Sequence, residues 1–198
     1  DGYGDNMDGN NPDSCPSVNG TSILDRFGCL DLDSDGYSSP DDVFLVIDGA
    51  DAFPSDSTQW ADWDEDGYGD NWGNSSWTDR TESWPGEFYP FAKDQDYCPL
   101  QEGSSYREEI YGCPDSDGDG WANFMDAFPF DSDEHLDDDD DDVANGNDAC
   151  PDDWGNSTED RQGCIDTDGD GYSDPFPGTW EPADGADAFP MDPTKWID

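Results

Sequence analysis

Apolar residues in this chain are set singly or in short groups between acidic runs, so regular secondary structure is expected to be sparse. Val43–Ile47 is the one dense cluster of β-branched and apolar residues, and it predicts a short strand. Asp56-Ser-Thr58 and Asp192-Pro-Thr194 read as N-caps of single helical turns, with Pro193 at the first helical position. No apolar stretch approaches the roughly 20 residues that would span a bilayer, and no leader peptide is visible in these residues.

The pattern repeats. Asp-Ala-Phe-Pro occurs at Asp51–Pro54, Asp126–Pro129 and Asp187–Pro190, each followed by an aromatic position held by Trp60, His135 or Trp196. Cys-Pro occurs at Cys15, Cys98 and Cys150, and each pair is answered by a Gly-Cys ending at Cys29, Cys113 or Cys164. The organisation expected is a segment 1–14 that ends a preceding loop, then modules over 15–97, 98–149 and 150–198. Insertions fall at about 38–49, 72–95 and 175–185. Six cysteines allow 15 pairings. The recurring local spacing selects Cys15–Cys29, Cys98–Cys113 and Cys150–Cys164, and an oxidising compartment with them.

Between these markers lie acidic loops. Asp31–Gly36, Asp62–Gly67, Asp115–Gly120 and Asp166–Gly171 each read Asp-x-Asp-x-Asp-Gly. Side chains at positions 1, 3 and 5 can converge on one ion, and glycine at 6 permits a sharp turn. The carbonyl of position 7 adds an oxygen, and ligands at 9 and 12 close the shell; this is the oxygen-only chemistry of calcium. The expected ligands are Asp31, Asp33, Asp35 and the Tyr37 carbonyl, closed by Asp51 by repeat logic or Asp42 by count. The second set is Asp62, Asp64, Asp66, Tyr68 and Asp70, with Gly73 at position 12 and the last ligand unassigned. The third is Asp115, Asp117, Asp119, Trp121, Asn123 and Asp126. The fourth is Asp137, Asp139, Asp141, Val143, Asn145 and Asp148, expected to be distorted because Asp142 replaces the glycine. The fifth is Asp166, Asp168, Asp170, Tyr172 and Asp174, closed by Asp187. Asp1, Asp5 and Asp8 fit positions 5, 9 and 12 of a further loop. Asp13, Asp56, Asp131 and Asp192 also recur and would suit additional ions.

Composition sharpens this reading. A net charge of −47 with 31% hydrophobic residues is the balance of a disordered chain. Against that stand an aromatic content of 14% and a bias of 44 Asp over 9 Glu, the shorter carboxylate being suited to tight loops that wrap ions. Six divalent ions would leave a charge of roughly −35, still that of a soluble polyanion that repels nucleic acid and anionic lipid. Zinc lacks any Cys-x-x-Cys, and the lone His135 occupies an aromatic slot, so neither a zinc site nor a catalytic constellation is expected. Phe53, Phe128, Phe189 and the tryptophans read as miniature cores over the loops, with sugar stacking as the alternative for exposed tryptophan. Asn19, Asn74 and Asn156 begin Asn-x-Ser/Thr sequons, which makes N-linked glycans expected partners.

The strings DSDGDGW, DTDGDGY and DWDEDGYGDN resemble thrombospondin type 3 repeats and related calcium-binding repeats of microbial surface proteins. That resemblance implies little regular structure, a chain wrapped around about six or more calcium ions, and an extracellular spacer role. The Cys-Pro…Gly-Cys loop and the Asp-Ala-Phe-Pro phrase depart from that pattern, and no apolar helix follows a loop as in dockerins. The fold class expected is a mostly irregular, elongated tandem repeat stabilised by calcium and disulfides. The expected function is a stalk, matrix or filament element, with a calcium-dependent adhesin as the alternative and no enzymatic activity. The first residues start at loop position 5 and Asp198 stands at position 1. The partners expected are therefore neighbouring copies of the chain, or further repeats of a longer array.

Overall fold

Carboxylates and small residues occupy the places where a globular chain normally keeps leucine and valine. The computed structural model describes residues 2–77, 80 and 84–197. The largest fully buried side chains include Asn71, Asp51, Asp70, Asp96 and Asp187, while the buried apolar residues are cysteines and alanines such as Cys29, Ala50, Cys113 and Ala186. Two compact units, Asp1–Ala122 and Asn123–Asp198, divide the chain. The division falls inside the segment read as the 98–149 module.

Among the described residues there is no strand longer than an isolated bridge and no α-helix; Val46–Asp48 and Arg107–Glu109 form single 3-10 turns. The strand expected over Val43–Ile47 is not formed. Val43 and Ile47 are 84% and 81% exposed, and the Asp41 carboxylate accepts the N–H groups of Val43 (2.8 Å) and Phe44 (2.9 Å). A carboxylate that takes two successive amides makes a turn, and no neighbouring strand competes for them. Asp41 is itself held below the usual carboxylate range by hydrogen bonding to Arg26, whose guanidinium lies 4.2 Å over the Phe44 ring.

The helical turns expected after Asp56 and Asp192 are present only as single hydrogen-bonded turns. Gln59 donates to the Asp56 carbonyl and Lys195 to that of Asp192, both at 2.9 Å. The Asp56 carboxylate accepts the Thr58 hydroxyl and that of Asp192 accepts the Thr194 hydroxyl, each at 2.7 Å. Asp131 accepts the Asp133 N–H. These recurring aspartates are turn caps.

The three expected disulfides are present, Cys15–Cys29, Cys98–Cys113 and Cys150–Cys164. Each closed loop carries a fully buried serine, Ser22, Ser105 or Ser157. Its hydroxyl accepts the N–H of the second cysteine at 2.9–3.0 Å and donates to the carbonyl of Arg26, Ile110 or Arg161. A chain-entropy estimate gives roughly 3 kcal/mol for closing a 15-residue loop. The 72–95 insertion is fastened by Asn71. Its amide donates to the Thr58 carbonyl (3.1 Å) and accepts the Glu87 N–H (2.9 Å), while the Gln59 amide bridges the Asn71 and Lys93 carbonyls.

Candidate metal centres

Five triplets bring their carboxylate oxygens within 4.8 Å of one another: Asp31/Asp33/Asp35, Asp62/Asp64/Asp66, Asp115/Asp117/Asp119, Asp137/Asp139/Asp141 and Asp166/Asp168/Asp170. The same hydrogen bonds build each loop. Position 1 turns one oxygen to the N–H of position 6, at 2.7–3.2 Å in all five. Position 5 accepts the N–H of position 7, which fixes Tyr37, Tyr68, Trp121, Val143 and Tyr172 against Asp35, Asp66, Asp119, Asp141 and Asp170 at 2.8–3.1 Å. Position 6 is left-handed throughout, and in the Asp137 loop Asp142 adopts φ 70° in place of glycine. That loop therefore keeps the shape of the others instead of the distortion expected. The strain of a left-handed Asp, of order 1 kcal/mol, is borne locally.

Position 9 clamps the loop. Asp70 accepts the Trp63 N–H (2.9 Å), Asn145 that of Asp138 (2.9 Å), and Asp174 both the N–H and the hydroxyl of Thr167. In the Asp31 loop the position is Ser39, which accepts the Leu32 N–H at 3.2 Å through a hydroxyl where the other loops use a carboxylate or amide. Asp70 keeps its other oxygen buried and unpartnered, whereas both oxygens of Asp174 are tied to Thr167.

The closing residue is not set by counting to 12. Asp51 donates its N–H to the Ser38 carbonyl, Asp96 to Gly69, Asp148 to Ala144 and Asp187 to Ser173, all at 2.8–3.0 Å, and each of these carbonyls belongs to position 8 of its loop. One oxygen of each closing carboxylate accepts the N–H two residues on, at 2.7–2.8 Å, and the other is buried without a hydrogen bond. Asp51 is 1% exposed while Asp42 lies on the surface, so Asp51 closes the first loop and Asp42 does not. In the Asp62 loop the wholly buried Asp96 stands where Asp51 and Asp187 stand in theirs. In the N-terminal segment Asp13 donates to the Gly4 carbonyl (3.0 Å) and is 3% exposed, whereas Asp5 and Asp8 are exposed. Counting placed Asp8 there; the buried residue is Asp13. Asp1 and Asp198 lie outside the described residues. Asn123 and Asp126 begin the second unit, where Asp126 accepts the Phe128 N–H at 2.7 Å. The signal shared by the five residues that close in this way, Asp13, Asp51, Asp96, Asp148 and Asp187, is Asp-x-(Phe or Cys)-Pro, in place of two separate phrases.

Aromatic rings cover the loops. Tyr37 stacks on Trp60 and Tyr172 on Trp196 with centroids 5.3 and 5.1 Å apart, and Tyr68 packs on Tyr111 at 5.4 Å. His135 shares the backbone place of Trp60 and Trp196: its carbonyl accepts the Ala127 N–H as theirs accept those of Ala52 and Ala188. Phe53, Phe128, Phe189 and Trp60 are half-buried and Trp196 is exposed, so the aromatic cover expected over the loops is partial.

Unpartnered buried oxygens belong to Asp33, Asp35 and Asp51; to Asp62, Asp64, Asp70 and Asp96; to Asp139 and Asp148; and to Asp168, Asp170 and Asp187. Such groups are costly unless something with positive charge meets them. Burial pushes Asp51 and Asp70 up to about 7 and Asp96 to about 8, against backbone donors that pull downward; neighbouring carboxylates push the same way as burial. Asp35 and Asp66 rise to about 6 for the same reasons. The geometry is that of sites able to hold metal ions.

No protein-family model matches the chain, and no curated protein matches it. The three disulfides fit an oxidising compartment, and no described helix is long and apolar enough to cross a membrane.

Proposed function

We propose that this chain is an extracellular calcium-binding structural protein, ordered by the ions it holds. The observation that carries the reading is the set of buried, unpartnered carboxylate oxygens at position 3, at Asp35 and Asp170 of position 5, and on the closing residues. Every such donor is a hard oxygen. Calcium accepts six to eight of these at flexible angles, magnesium demands a tighter octahedron, and zinc favours nitrogen and sulfur. The ligands would be Asp31, Asp33, Asp35 and Asp51 in the first loop and Asp166, Asp168, Asp170 and Asp187 in the last. The thrombospondin type 3-like strings support the same reading. The acids sit in ion register, so the role is structural, a rigid spacer, and not catalytic.

Titration calorimetry on the metal-free chain is expected to show at least five calcium ions bound, matching the five triplets. Magnesium and zinc should compete weakly. No calcium uptake, or equal affinity for magnesium, would overturn the assignment.

Asn19, Asn74 and Asn156 are all exposed, which supports N-linked glycosylation of the native material. Glycopeptide mass spectrometry of protein from its natural source is expected to find sugar at these sites, and three bare asparagines would end the idea.

A further inference from the structure

The loops close in two ways. Asp51 and Asp187 precede phenylalanine, and the alanine between donates to the Trp60 or Trp196 carbonyl. Asp96 and Asp148 instead precede a disulfide cysteine, whose N–H lies 2.7 Å from the carboxylate. In these the intervening residue is stitched to the opposite arm of the disulfide loop, Tyr97 to the Tyr111 carbonyl (2.8 Å) and Ala149 to that of Gln162 (2.9 Å).

The disulfide loop reaches the metal site from a second side. Gly103 donates its N–H to Asp66 and Gly155 to Asp141, both at 3.1 Å. The glycine before the second cysteine has φ 72° at Gly112 and 77° at Gly163. A methyl group on Gly112 would lie 2.2 Å from Asp96 Oδ1 and 3.0 Å from Asp66 Oδ2; on Gly163 it would lie 2.1 Å from Asp148 Oδ1. The Gly-Cys corner is thus where the closing carboxylate and position 5 meet. Asp96 is wholly buried with Oδ2 unpartnered, although 25 residues separate it from Asp70.

We propose that Asp96 is the carboxylate ligand completing the Asp62 metal site, and that the Cys98–Cys113 disulfide holds it in place; Asp148 and Cys150–Cys164 do the same for the Asp137 site. The chain then carries two classes of ion site, one dependent on its disulfide and one, closed by Asp51 or Asp187, independent of it. This rests on the calcium reading above. The physical reason is pre-organisation: a ligand delivered across a long insertion is held at high effective concentration only if its arm is fixed.

Calcium titration of the full oxidised chain tests it, comparing wild type with Asp96→Asn, Cys98→Ser/Cys113→Ser, the triple combination, and Asp51→Asn. Asparagine keeps an oxygen for the Cys98 N–H and removes only the charge, and the near-ultraviolet signal of the Tyr37–Trp60 stack reports whether the unit stays folded. Asp96→Asn is expected to weaken one site at least tenfold. Removing the cysteine pair should weaken one site comparably, Asp96→Asn should then add nothing, and Asp51→Asn should still weaken a separate site in either background. The proposal is overturned if Asp96→Asn binds like wild type, or still weakens a site when the cysteines are gone. A wild-type chain that binds no calcium overturns the metal reading and this proposal together, whereas a calcium-binding wild type indifferent to Asp96→Asn overturns this proposal alone.

Discussion

Chelating calcium with EDTA is expected to unfold the chain with all three disulfides intact. Two unit charges 4.8 Å apart, the outer limit within each triplet, repel by roughly 3–4 kcal/mol at an effective dielectric near 20. Three such pairs in one triplet amount to about 10 kcal/mol, comparable to the whole stability of an ordinary domain. Among the described residues little apolar burial offsets this: beyond the partly exposed aromatic stacks, the buried apolar residues are mainly alanines and cysteines. Among the described residues the ion pairs of Arg26, Lys93 and Lys195 engage Asp41, Asp56 and Asp192, none of which belongs to a triplet. The measurement should be hydrodynamic radius with near-ultraviolet dichroism, which reads the stacks at Trp60 and Trp196. Far-ultraviolet dichroism has little to lose, since the described residues hold only two 3-10 turns. Superimposable profiles with and without EDTA would refute the claim.

In calcium-free buffer, acidification is expected to restore order, opposite to the usual acid denaturation. Burial raises Asp51 and Asp70 to about 7 and Asp96 to about 8, from the model-compound value of 3.8 expected in the unfolded chain. The folded form therefore binds protons that the unfolded form has released. Its stability from these groups is fully present below about pH 4 and is lost as pH rises through 7 to 8. The metal-free chain should be most compact near pH 4–5 and expand toward pH 8. With calcium the slope reverses, because the ion needs the same carboxylates deprotonated, so uptake at pH 7 should release protons. Radius against pH, with and without calcium, tests both limbs; a calcium-free chain that expands on acidification would contradict the account.

What could be read in advance was whatever depends on neighbours in sequence. Positions 1, 3, 5 and 6 follow from loop geometry over six residues, and the disulfides from a spacing of 14 or 15. Counting to position 12 reaches the closing residue only where no insertion intervenes, as at Asp148; the repeated phrase pointed to Asp51 and Asp187 where counting offered Asp42, and counting alone set Asp8 where Asp13 stands. Asp96 was missed because its phrase ends in Cys-Pro and was read as part of a disulfide framework only. Val43–Ile47 has strand composition but no partner, and strand propensity expresses packing against a neighbour more than a backbone preference. Asp142 shows the converse: a side chain poorly suited to the left-handed region is held there by the loop's own hydrogen bonds.

The hydrogen bond from each closing aspartate to its position-8 carbonyl joins residues 4 apart at Ala144–Asp148, 13 at Ser38–Asp51 and 27 at Gly69–Asp96. Closing the longest of these intervals instead of the shortest costs only about 2 kcal/mol of chain entropy. Beyond position 9, intervals of very different length end on the same hydrogen bond, so the chain has a fixed socket and a sleeve of variable length. An epitope or recognition loop that an engineer wished to display belongs in the sleeve, where the chain itself already carries stretches of different lengths on one socket.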